Sequence, residues 1–391
     1  MISAVRSILP ALAALALSAG VAGAQTPASR DTLRAGPGAV RVCAGGDVTL
    51  GTNLNPGWVH TASAKYGMRV DPYPDPDSLL APLRPLVDDA DVVLLNVEGA
   101  IGEGPAPRKC APGSTKCFAF RQPVGTAAAL RRVAEEAEVV GNVANNHAGD
   151  AGASGLRATV RHLRDADVHV TGADTLATVV VTARGDTVAF LGFSTSGGPD
   201  PRDLNAVRRH VRRAAERFPR VVVTMHMGAE GVRAQRTRNE TEMFLGINRG
   251  NSVAFARAAA EAGADLVVGH GPHVMRAVEW HGETLIFYSL GNLLTYGPFS
   301  LAEPLNRGAL ACAVLERDGT VVEAVLRPTR QLPPGRARPD ASAKAVALAD
   351  SLTRLDFPET GARIDADGRI HPPAPAATVR KPVAPRKDGG T

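Results

Sequence analysis

The sequence predicts an α/β protein whose β-sheet is mixed and layered, within one domain. Two observations carry this prediction. From residue 39 onward, short apolar runs rich in β-branched residues alternate with stretches of helical periodicity, which is the pattern of strands separated by helices. Residues 309–328 instead contain two strand-like runs around an Asp318-Gly319 turn, so the sheet is expected to finish in an antiparallel hairpin.

The chain begins with the parts of a secretory signal peptide. An early arginine precedes an apolar stretch, and the small residues Ala22-Gly23-Ala24 stand before Gln25. The apolar stretch contains Pro10 and is shorter than the roughly 20 residues that span a bilayer. We expect residues 1–24 to be removed on export to the periplasm or the extracellular space, and residues 25–38 to be a linker.

The alternating runs order the domain that is expected over residues 39–330. The strand-like runs are, in chain order, AVRVCAGG, DVVLLNV, EVVGNVA, VHVTG, TVAFLGF, RVVVTMH, DLVVGH and ETLIFYSLG. The helical stretches between them include PVGTAAALRRVAEEA, GLRATVRHLRDA and NSVAFARAAAEAGA. Residues 331–356 are expected to form a helical extension of this domain.

The composition of the last residues and of the whole chain limits what else is expected. Residues 357–391 are rich in Pro, Ala, Lys and Arg, and such a segment is expected to be a disordered tail because it cannot bury enough apolar surface. The chain has a formal net charge of +5 and only 4% aromatic residues. Nucleic acid is not expected as a partner, because its recognition needs aromatic platforms or a known reader motif.

The four cysteines are too few for a disulfide scaffold, but an exported protein can form disulfide bonds. Cys110 and Cys117 bracket the loop CAPGSTKC, and we expect them to be bonded to each other. Cys43 and Cys312 lie inside apolar strand-like runs, where buried free thiols are expected.

Polar side chains follow the strand-like runs, at the points where the runs end. They are Asp47; Asn96 and Glu98; Asn146, His147 and Asp150; His226 and Glu230; and His270 and His273. Taken singly, each has an ordinary explanation as a turn former, a cap or a core histidine. Because ligands of α/β sheets bind beyond the carboxyl ends of the strands, we expect these groups to meet in one polar site.

This set of side chains favours metal chemistry over the other common hydrolytic schemes. Asp, Asn and His without thiolate suit a divalent ion such as Mn, Fe or Zn, and the lack of cysteine counts against a structural zinc site. The chain has no G-x-S-x-G elbow, no Walker A loop and no S-x-x-K motif. A bound ion polarises a phosphoryl or carbonyl oxygen and supplies hydroxide near neutral pH.

Six short motifs of the sequence resemble those of a known family. The motifs are GDVTLG (46–51), NVEGAI (96–101), NNHAGDAG (145–152), HMGAE (226–230), GADLVVGHGPHV (263–274) and YSLGN (288–292). In this order they resemble the CapA family of capsule and poly-γ-glutamate synthesis proteins, whose domain is similar to the calcineurin-like metallophosphoesterase fold. The resemblance implies a four-layer α/β/β/α arrangement.

The resemblance to metallophosphatases implies that Asp47, Asn146, His226 and His273 hold metal, and that His147 assists at the substrate oxygen. With the other strand-end groups, the expected metal ligands are Asp47, Asn96, Glu98, Asn146, His226, His270 and His273. The expected catalytic residues are His147, Glu98 and Asp150, and the expected substrate-binding residues are Arg121, Glu230 and Asn292.

The sequence departs from the metallophosphatase pattern at the metal ligands. Thr49 stands where those enzymes have a histidine two residues after the first aspartate, and Asn96 and Glu98 stand in place of their second aspartate. His270 and His273 are separated by two residues instead of one. These departures put two ligand positions in question, and with them a full dinuclear centre.

The resemblance also implies an exported protein that acts on an anionic polymer or another cell-envelope substrate, with membrane-bound polymer synthase subunits as possible partners. Arg121 is a candidate for binding a carboxylate through its guanidinium, or else an ordinary salt bridge. The arginine-rich segment 231–250 is expected to be a lid or binding loop, with a short surface helix as the alternative. A metal-dependent phosphoesterase of the cell envelope and a non-catalytic polymer-binding module stay open as alternative functions.

Overall fold

The structure is a computed structural model that describes residues 36–50, 57–102, 118–297 and 299–374. The predicted signal peptide and the predicted Cys110–Cys117 bond lie outside these residues. Within them, no helix is both long enough and apolar enough to cross a membrane.

The first of two large sheets contains eight strands and is mixed. Seven of them follow the order β18-β17-β16-β1-β2-β5-β6, and β15 pairs in parallel with β1. Strands β1, β2, β5 and β6 are parallel to one another. The bounds are β1 Val40–Leu50, β2 Val92–Val97, β5 Glu138–Asn142, β6 His169–Thr171, β15 Asn292–Tyr296, β16 Arg307–Leu315, β17 Val321–Leu332 and β18 Arg336–Pro339.

The second large sheet contains six strands in the order β13-β14-β12-β9-β8-β7. Its central strands β8, β9, β12 and β14 are parallel, and the outer strands β7 and β13 are antiparallel to their neighbours. The bounds are β7 Thr178–Val181, β8 Thr187–Ser194, β9 Val221–His226, β12 Leu266–His270, β13 Val278–His281 and β14 Thr284–Phe287.

Short strand pairs and seven α-helices complete the described elements. The pairs are β3 Ala100–Ile101 with β4 Arg121–Gln122, β10 Met243–Phe244 with β11 Ile247–Asn248, and β19 Arg363–Ile364 with β20 Ile370–His371. The helices are α1 Gly57–Tyr66, α2 Pro76–Leu80, α3 Gly125–Arg131, α4 Gly152–Asp165, α5 Leu204–Ala215, α6 Ser252–Glu261 and α7 Lys344–Asp356.

The helices begin where the sequence offers caps. Asp203 accepts a hydrogen bond from the Ala206 amide at 2.9 Å at the start of α5, and Asn251 accepts one from the Ala254 amide at 3.0 Å at the start of α6. Each bond satisfies an amide that the first turn of the helix leaves unpaired.

The two sheets pack face to face, with helices on both outer faces. Between the sheets, Val42 and Val92 of the first share one buried cluster with Phe190 and Val222 of the second. The outer face of the first sheet packs against α2, α3 and α4, and the outer face of the second packs against α5 and α6. This is the four-layer α/β/β/α arrangement, so the predicted fold class is confirmed.

The antiparallel finish of the first sheet also follows the sequence pattern. Strands β16 and β17 form a hairpin over the Asp318-Gly319 turn, where Gly319 has φ +91°. Strand β17 runs on to Leu332 and β18 follows, so the expected helical extension of residues 331–356 is helical only from Lys344.

The expectation of free thiols at Cys43 and Cys312 is wrong. These residues lie directly opposite each other on the antiparallel strands β1 and β16, and they form a disulfide bond. Both are fully buried, as expected. The sequence could not show the pairing, because the two positions are 269 residues apart and only the strand register brings them together.

The disordered tail does not begin at Phe357, as the sequence analysis places it. The hairpin of β19 and β20 inserts Ile364 and Ile370 into the core between the two sheets, and the ring of Phe357 stacks on Tyr288 at 5.1 Å. These few apolar residues are enough to hold the segment, because an existing core supplies the rest of the contact surface. Residues 375–391 lie outside the described residues.

Candidate metal centre

The carboxyl ends of the parallel strands bring the strand-end groups of both sheets together. In the first sheet, Asp47 of β1 is in register with Asn96 of β2, which is in register with Asn142 of β5. In the second, His226 of β9 is in register with His270 of β12. All five side chains are completely buried, so the site lies at the end of the interface between the sheets.

A buried group of possible metal ligands occupies the centre of this region. Ligand atoms of Asp47, Glu98 and His226 all lie within 4.8 Å of one another. The Nδ1 atom of His226 is 3.7 Å from Oδ1 of Asp47, and its Nε2 atom is 3.7 Å from Oε1 of Glu98. These separations are too long for hydrogen bonds.

The polar atoms of this group support a metal site because several have no partner. Both carboxylate oxygens of Glu98 and the Nε2 atom of His226 are buried without a hydrogen bond. A buried polar atom left in this way costs about 1–3 kcal/mol, and native proteins rarely retain several side by side. A cation bound between them would satisfy all three atoms, so the residues present fit a divalent metal ion.

The pKa shifts of Glu98 and His226 also support a metal site. Burial and the charge of Asp47 raise the pKa of Glu98 well above its usual range. Burial also lowers the pKa of His226 well below its usual range, which keeps the imidazole in the neutral, metal-binding form. A positive ion between them would remove the electrostatic cost of ionising Glu98.

His273 completes one side of the group. Its Nδ1 atom lies 3.0 Å from Oδ2 of Asp47 and 2.9 Å from Oδ1 of Asn292, and its Nε2 atom lies 3.6 Å from Oε1 of Glu98. His273 has φ +58°, a conformation that few residues other than glycine adopt. Backbone strain of this kind is common where a functional side chain must be aimed.

Asp47 and His273 stabilise each other's charged forms. Burial favours the protonated acid, but the charge and hydrogen bond of His273 hold the pKa of Asp47 well below its usual range. Burial favours neutral imidazole, but the facing carboxylates of Glu98 and Asp47 raise the pKa of His273 well above its usual range. The two residues therefore form an ion pair at neutral pH.

His270 is buried beside this group without joining it. Neither ring nitrogen has a hydrogen-bond partner, and burial lowers the pKa of His270 to about 4. The ring is consequently neutral near pH 7 and lies on the strand next to His226.

A chain of side-chain amides holds Asp47 from the first sheet. The Nδ2 atom of Asn96 donates to Oδ1 of Asp47 at 2.7 Å, and its Oδ1 atom accepts from Asn142 at 2.9 Å and from Asn145 at 3.2 Å. The side-chain oxygen of Asn96 thus accepts hydrogen bonds from two amides. The side-chain amide of Asn96 in turn supports Asp47. Sequence reasoning singled out neither Asn142 nor Asn145.

Of the adjacent asparagines at the end of β5, it is Asn145 that enters this network. Asn145 also donates to the Val97 carbonyl at 2.9 Å and accepts from the His147 amide at 3.1 Å. The predicted ligand Asn146 is half-buried. The NNH motif alone gives no signal to distinguish the two.

Thr49 occupies the position where metallophosphatases have a histidine. Its hydroxyl donates to the carbonyl oxygen of Glu98 at 2.8 Å, and the Glu98 amide donates to the Val48 carbonyl at 2.9 Å. Both bonds fix the backbone of Glu98 beside β1. Thr49 therefore positions one of the carboxylates and offers no imidazole of its own.

The cluster faces a cleft of about 460 Å³ that is largely aromatic. Its lining residues are Phe118, Phe120, His147, Glu230, Gly231, Phe244, His273, Asn292, Phe299, Ser300 and Leu305. The ring of Phe120 lies 4.4 Å from that of His147 and 4.9 Å from that of Phe299. No motif of the sequence predicts this aromatic wall.

His147 and Asp150 form a pair on one wall of the cleft. Nδ1 of His147 lies 2.7 Å from Oδ2 of Asp150, which also accepts a hydrogen bond from the Phe120 amide at 2.7 Å. Asp150 is fully buried and His147 is 8% exposed. A carboxylate bonded to Nδ1 fixes the orientation of the ring and makes Nε2 the basic nitrogen of neutral imidazole.

The remaining predicted site residues lie around the cluster. Glu230 lies 3.8 Å from Nε2 of His273 and is paired with the buried Arg249 at 3.0 Å. Asn292 lines the cleft and contacts His273, as described above. Arg121 is buried on β4 beside Phe120 but is not one of the residues that line the cleft.

The layers and the buried carboxylate and imidazole cluster define a class of protein, an α/β/β/α protein of metallophosphoesterase-like architecture with a candidate metal site. Within that class, the chain belongs to the family described as "Bacterial capsule synthesis protein PGA_cap", whose model matches residues 41–296. The resemblance found from the sequence motifs is thereby confirmed.

Two curated relatives are similar to part of the chain. It is 31% identical to "Capsule biosynthesis protein CapA" of Bacillus anthracis, over 42% of this chain and 42% of that protein. It is also 31% identical to "PGA biosynthesis protein CapA" of Bacillus subtilis (strain 168), over 39% of this chain and 41% of that protein. The match spans about two fifths of the length of each relative.

Solved structures with some similarity include a 5'-nucleotidase precursor from Thermus thermophilus, with a TM-score of 0.35 and 14% identity over 81% of this chain and 59% of that one. Another is GAP50 of Plasmodium, with a TM-score of 0.36 and 9% identity over 80% of this chain and 96% of that one. The fold class assigned above depends on the observed layers, because both scores are low.

Proposed function

We propose that this protein is exported and assists the synthesis, attachment or processing of an anionic extracellular polymer of the poly-γ-glutamate or capsule type, at a site that binds a divalent metal ion. Family membership supports the link to capsule polymers. The single observation that carries the metal-dependent part is the set of unpaired buried atoms of Glu98 and His226 beside Asp47.

Asp47, Glu98 and His226 would hold the ion, with His273 next to them. Carboxylate and imidazole ligands without thiolate suit Mn, Fe or Zn. A bound ion of this kind polarises a carbonyl or phosphoryl oxygen and generates a nucleophile from water near neutral pH. Thr49 stands where metallophosphatases have a histidine ligand, and it supplies no imidazole. The site therefore favours one bound ion over a pair.

The other residues of the cleft would bind and orient the substrate. The pair formed by His147 and Asp150 is placed to hold or move a proton at Nε2 of His147, since Asp150 fixes the ring through Nδ1. Phe120 and Phe299 exclude water from one side of the cleft. Export is supported by the Ala22-Gly23-Ala24 pattern, and membrane-bound polymer synthase subunits are the proposed protein partners.

The test is an assay of polymer length. Purified protein is incubated with poly-γ-glutamate, with and without Mn²⁺, and the chain length is followed by size-exclusion chromatography. Metal-dependent shortening or transfer of chains is expected, and Glu98→Gln should abolish it because the substitution removes a ligand charge. Glu216→Gln, at an exposed position beyond α5, is the matched control.

A second candidate is a metal-dependent phosphoesterase of the cell envelope, favoured by the His147 and Asp150 pair beside a possible metal site in an α/β/β/α protein. Hydrolysis of p-nitrophenyl phosphate by the same samples, with the polymer left intact, would replace the first proposal with this one. Binding of the polymer without any turnover would instead leave a non-catalytic polymer-binding module, since a fold and a site do not guarantee a reaction.

A further inference from the structure

A hairpin near the cleft exposes large apolar side chains to solvent. In the hairpin of β10 and β11, Met243 is 56% exposed, Leu245 69% and Ile247 50%. The turn consists of Leu245 and Gly246, with φ +48° and +79°. Asn, Asp or Gly usually fills the first position of such a turn, because a positive φ is unfavourable for leucine. The exposure of this leucine is also unfavourable unless another surface contacts it.

The hairpin is rigidly anchored, so the exposure of its tip is not the result of a loose loop. The side chain of Glu242, just before β10, accepts hydrogen bonds from the buried Arg276 at 2.8 and 2.6 Å and from the Ala229 amide at 2.9 Å. Backbone bonds of 2.8 Å from Arg249 to Glu242 and from Glu242 to Gly250 extend the ladder below the tip. These bonds hold the base of the hairpin to the body of the protein.

Arginines surround the base of the hairpin. A cavity of about 590 Å³ is lined by Met243 and Phe244, by Arg233, Arg236 and Arg238, and by Glu230, Glu240 and Glu242. Of these glutamates, Glu230 and Glu242 are paired with the buried Arg249 and Arg276, respectively. Arg236 is paired with Asp356, and Arg238 lies 3.7 Å from the exposed Glu240. No carboxylate partner is recorded for Arg233 among the described residues. Val232, the neighbour of Arg233, adds another apolar side chain that is 48% exposed.

The hairpin also adjoins the candidate metal site. Phe244 and Glu230 line both this arginine cavity and the aromatic cleft. Phe118, on the cleft side, is itself 45% exposed. The apolar tip, the arginines and the mouth of the cleft therefore form one continuous surface.

We propose that this surface docks on an anionic phospholipid membrane. Met243, Leu245 and Ile247 enter the interfacial region of the bilayer, and Arg233 and Arg238 contact the lipid headgroups. Apolar side chains flanked by arginine are the combination that binds the interface of an anionic bilayer. Docking places the mouth of the cleft at the membrane surface, where a polymer or precursor held by the membrane would reach it. The inference goes beyond the proposed function and does not depend on catalysis.

The direct test places a fluorescent reporter on the hairpin. Ile247→Trp and Val181→Trp are made in the full chain; both positions are on short strands and are similarly exposed, at 50% and 54%. Each protein is mixed with vesicles of phosphatidylcholine and phosphatidylglycerol that carry brominated acyl chains. We expect quenching of the added tryptophan at position 247 and none beyond the wild-type signal at 181. Equal quenching at both positions, or at neither, would overturn the proposal.

Cosedimentation with the same lipids without bromine measures the energetic contribution of the tip. Leu245→Asn with Ile247→Asn should weaken binding about tenfold or more, because two apolar groups leave the interface. Asparagine tolerates positive φ, so the turn should keep its shape. The matched control is Leu176→Asn with Val181→Asn, at 64% and 54% exposure. Unchanged binding by the hairpin variant would overturn the proposal and leave a protein partner as the occupant of this surface.

Arg→Gln variants and added salt measure how much the arginines contribute to membrane binding. Arg233→Gln with Arg238→Gln should reduce binding to phosphatidylglycerol vesicles and leave the weak binding to pure phosphatidylcholine unchanged. Arg209→Gln with Arg213→Gln, on the exposed face of α5, removes the same charge elsewhere. Binding should also weaken as salt is raised to about 0.5 M. Equal losses in the two arginine variants would show a general charge effect and contradict headgroup contact at this surface.

Discussion

The individual residues of the cluster share one property: burial and close charges shift the pKa of each. Asp47 is ionised through its contact with His273, and His226 stays neutral through burial. Glu98 resists ionisation in the absence of a cation because it is buried beside Asp47. Perturbed ionisable groups of this kind are typical of functional sites, and here they surround atoms that have no other partner.

The roles of two histidines can be separated by substitution. His226→Ala should remove the metal, whereas His147→Ala should leave the metal content unchanged and lower any hydrolytic rate about 10²- to 10³-fold through loss of its contact with the reacting oxygen. Metal content is measured by mass spectrometry and the fold by circular dichroism. The control is His371→Ala, at a partly exposed position on β20. Loss of metal in the His147 variant, with the fold intact, would contradict this division of roles.

A carboxylate far from the site should govern part of the pH dependence of stability. Burial raises the pKa of Asp265, just before β12, to about 6. Its unfolded value is near 3.9, so between about pH 4 and 6 the folded state holds a proton that the unfolded state has lost. The free energy of unfolding should therefore fall as the pH rises through this window, by about 1–3 kcal/mol.

Asp265→Asn should remove that dependence and stabilise the protein at pH 7, because the amide oxygen can still accept the hydrogen bond from the Val221 amide. Urea unfolding at several pH values measures the effect. Asp165→Asn, at an exposed position at the end of α4, should retain the wild-type slope. An Asp265 variant with the same slope as the wild type would show that this carboxylate does not titrate in the window.

At the scale of the elements, the sequence predicts what depends on local pattern. The strand ends that carry Asp47, Glu98, His226 and His273 follow from apolar runs of the right length, and their meeting follows from the parallel arrangement. The place of Asn145 in the amide network depends on the conformation of the turn after β5, which no local pattern encodes.

The disulfide links two elements that are remote in sequence. Cys43→Ala with Cys312→Ala should lower the free energy of unfolding by about 2–5 kcal/mol, because the bond closes a very long loop in the unfolded chain. Guanidinium unfolding of the variant and of the oxidised wild type measures the difference. The wild type unfolded under a reducing agent should match the variant. Equal stability of the oxidised wild type and the variant would exclude a stabilising role for the bond.

At the scale of the whole molecule, two sheets each contribute half of the site. Asp47 and Glu98 come from the first sheet and the segment after it, and His226, His270 and His273 come from the second. The core between the sheets therefore fixes the distances within the cluster. The layered fold could be predicted from the alternation of strands and helices, whereas the aromatic cleft could not, since its residues come from separate segments of the chain.

The account as a whole depends most directly on whether the cluster binds metal. The wild-type protein is purified without chelators, its content of Mn, Fe and Zn is measured by mass spectrometry, and thermal unfolding is followed with each ion added. About one ion per chain is expected, given one set of ligands, with a rise in the unfolding temperature on metal addition. A protein that carries no metal and shows no thermal shift with Mn²⁺, Fe²⁺ or Zn²⁺ would contradict the metal site.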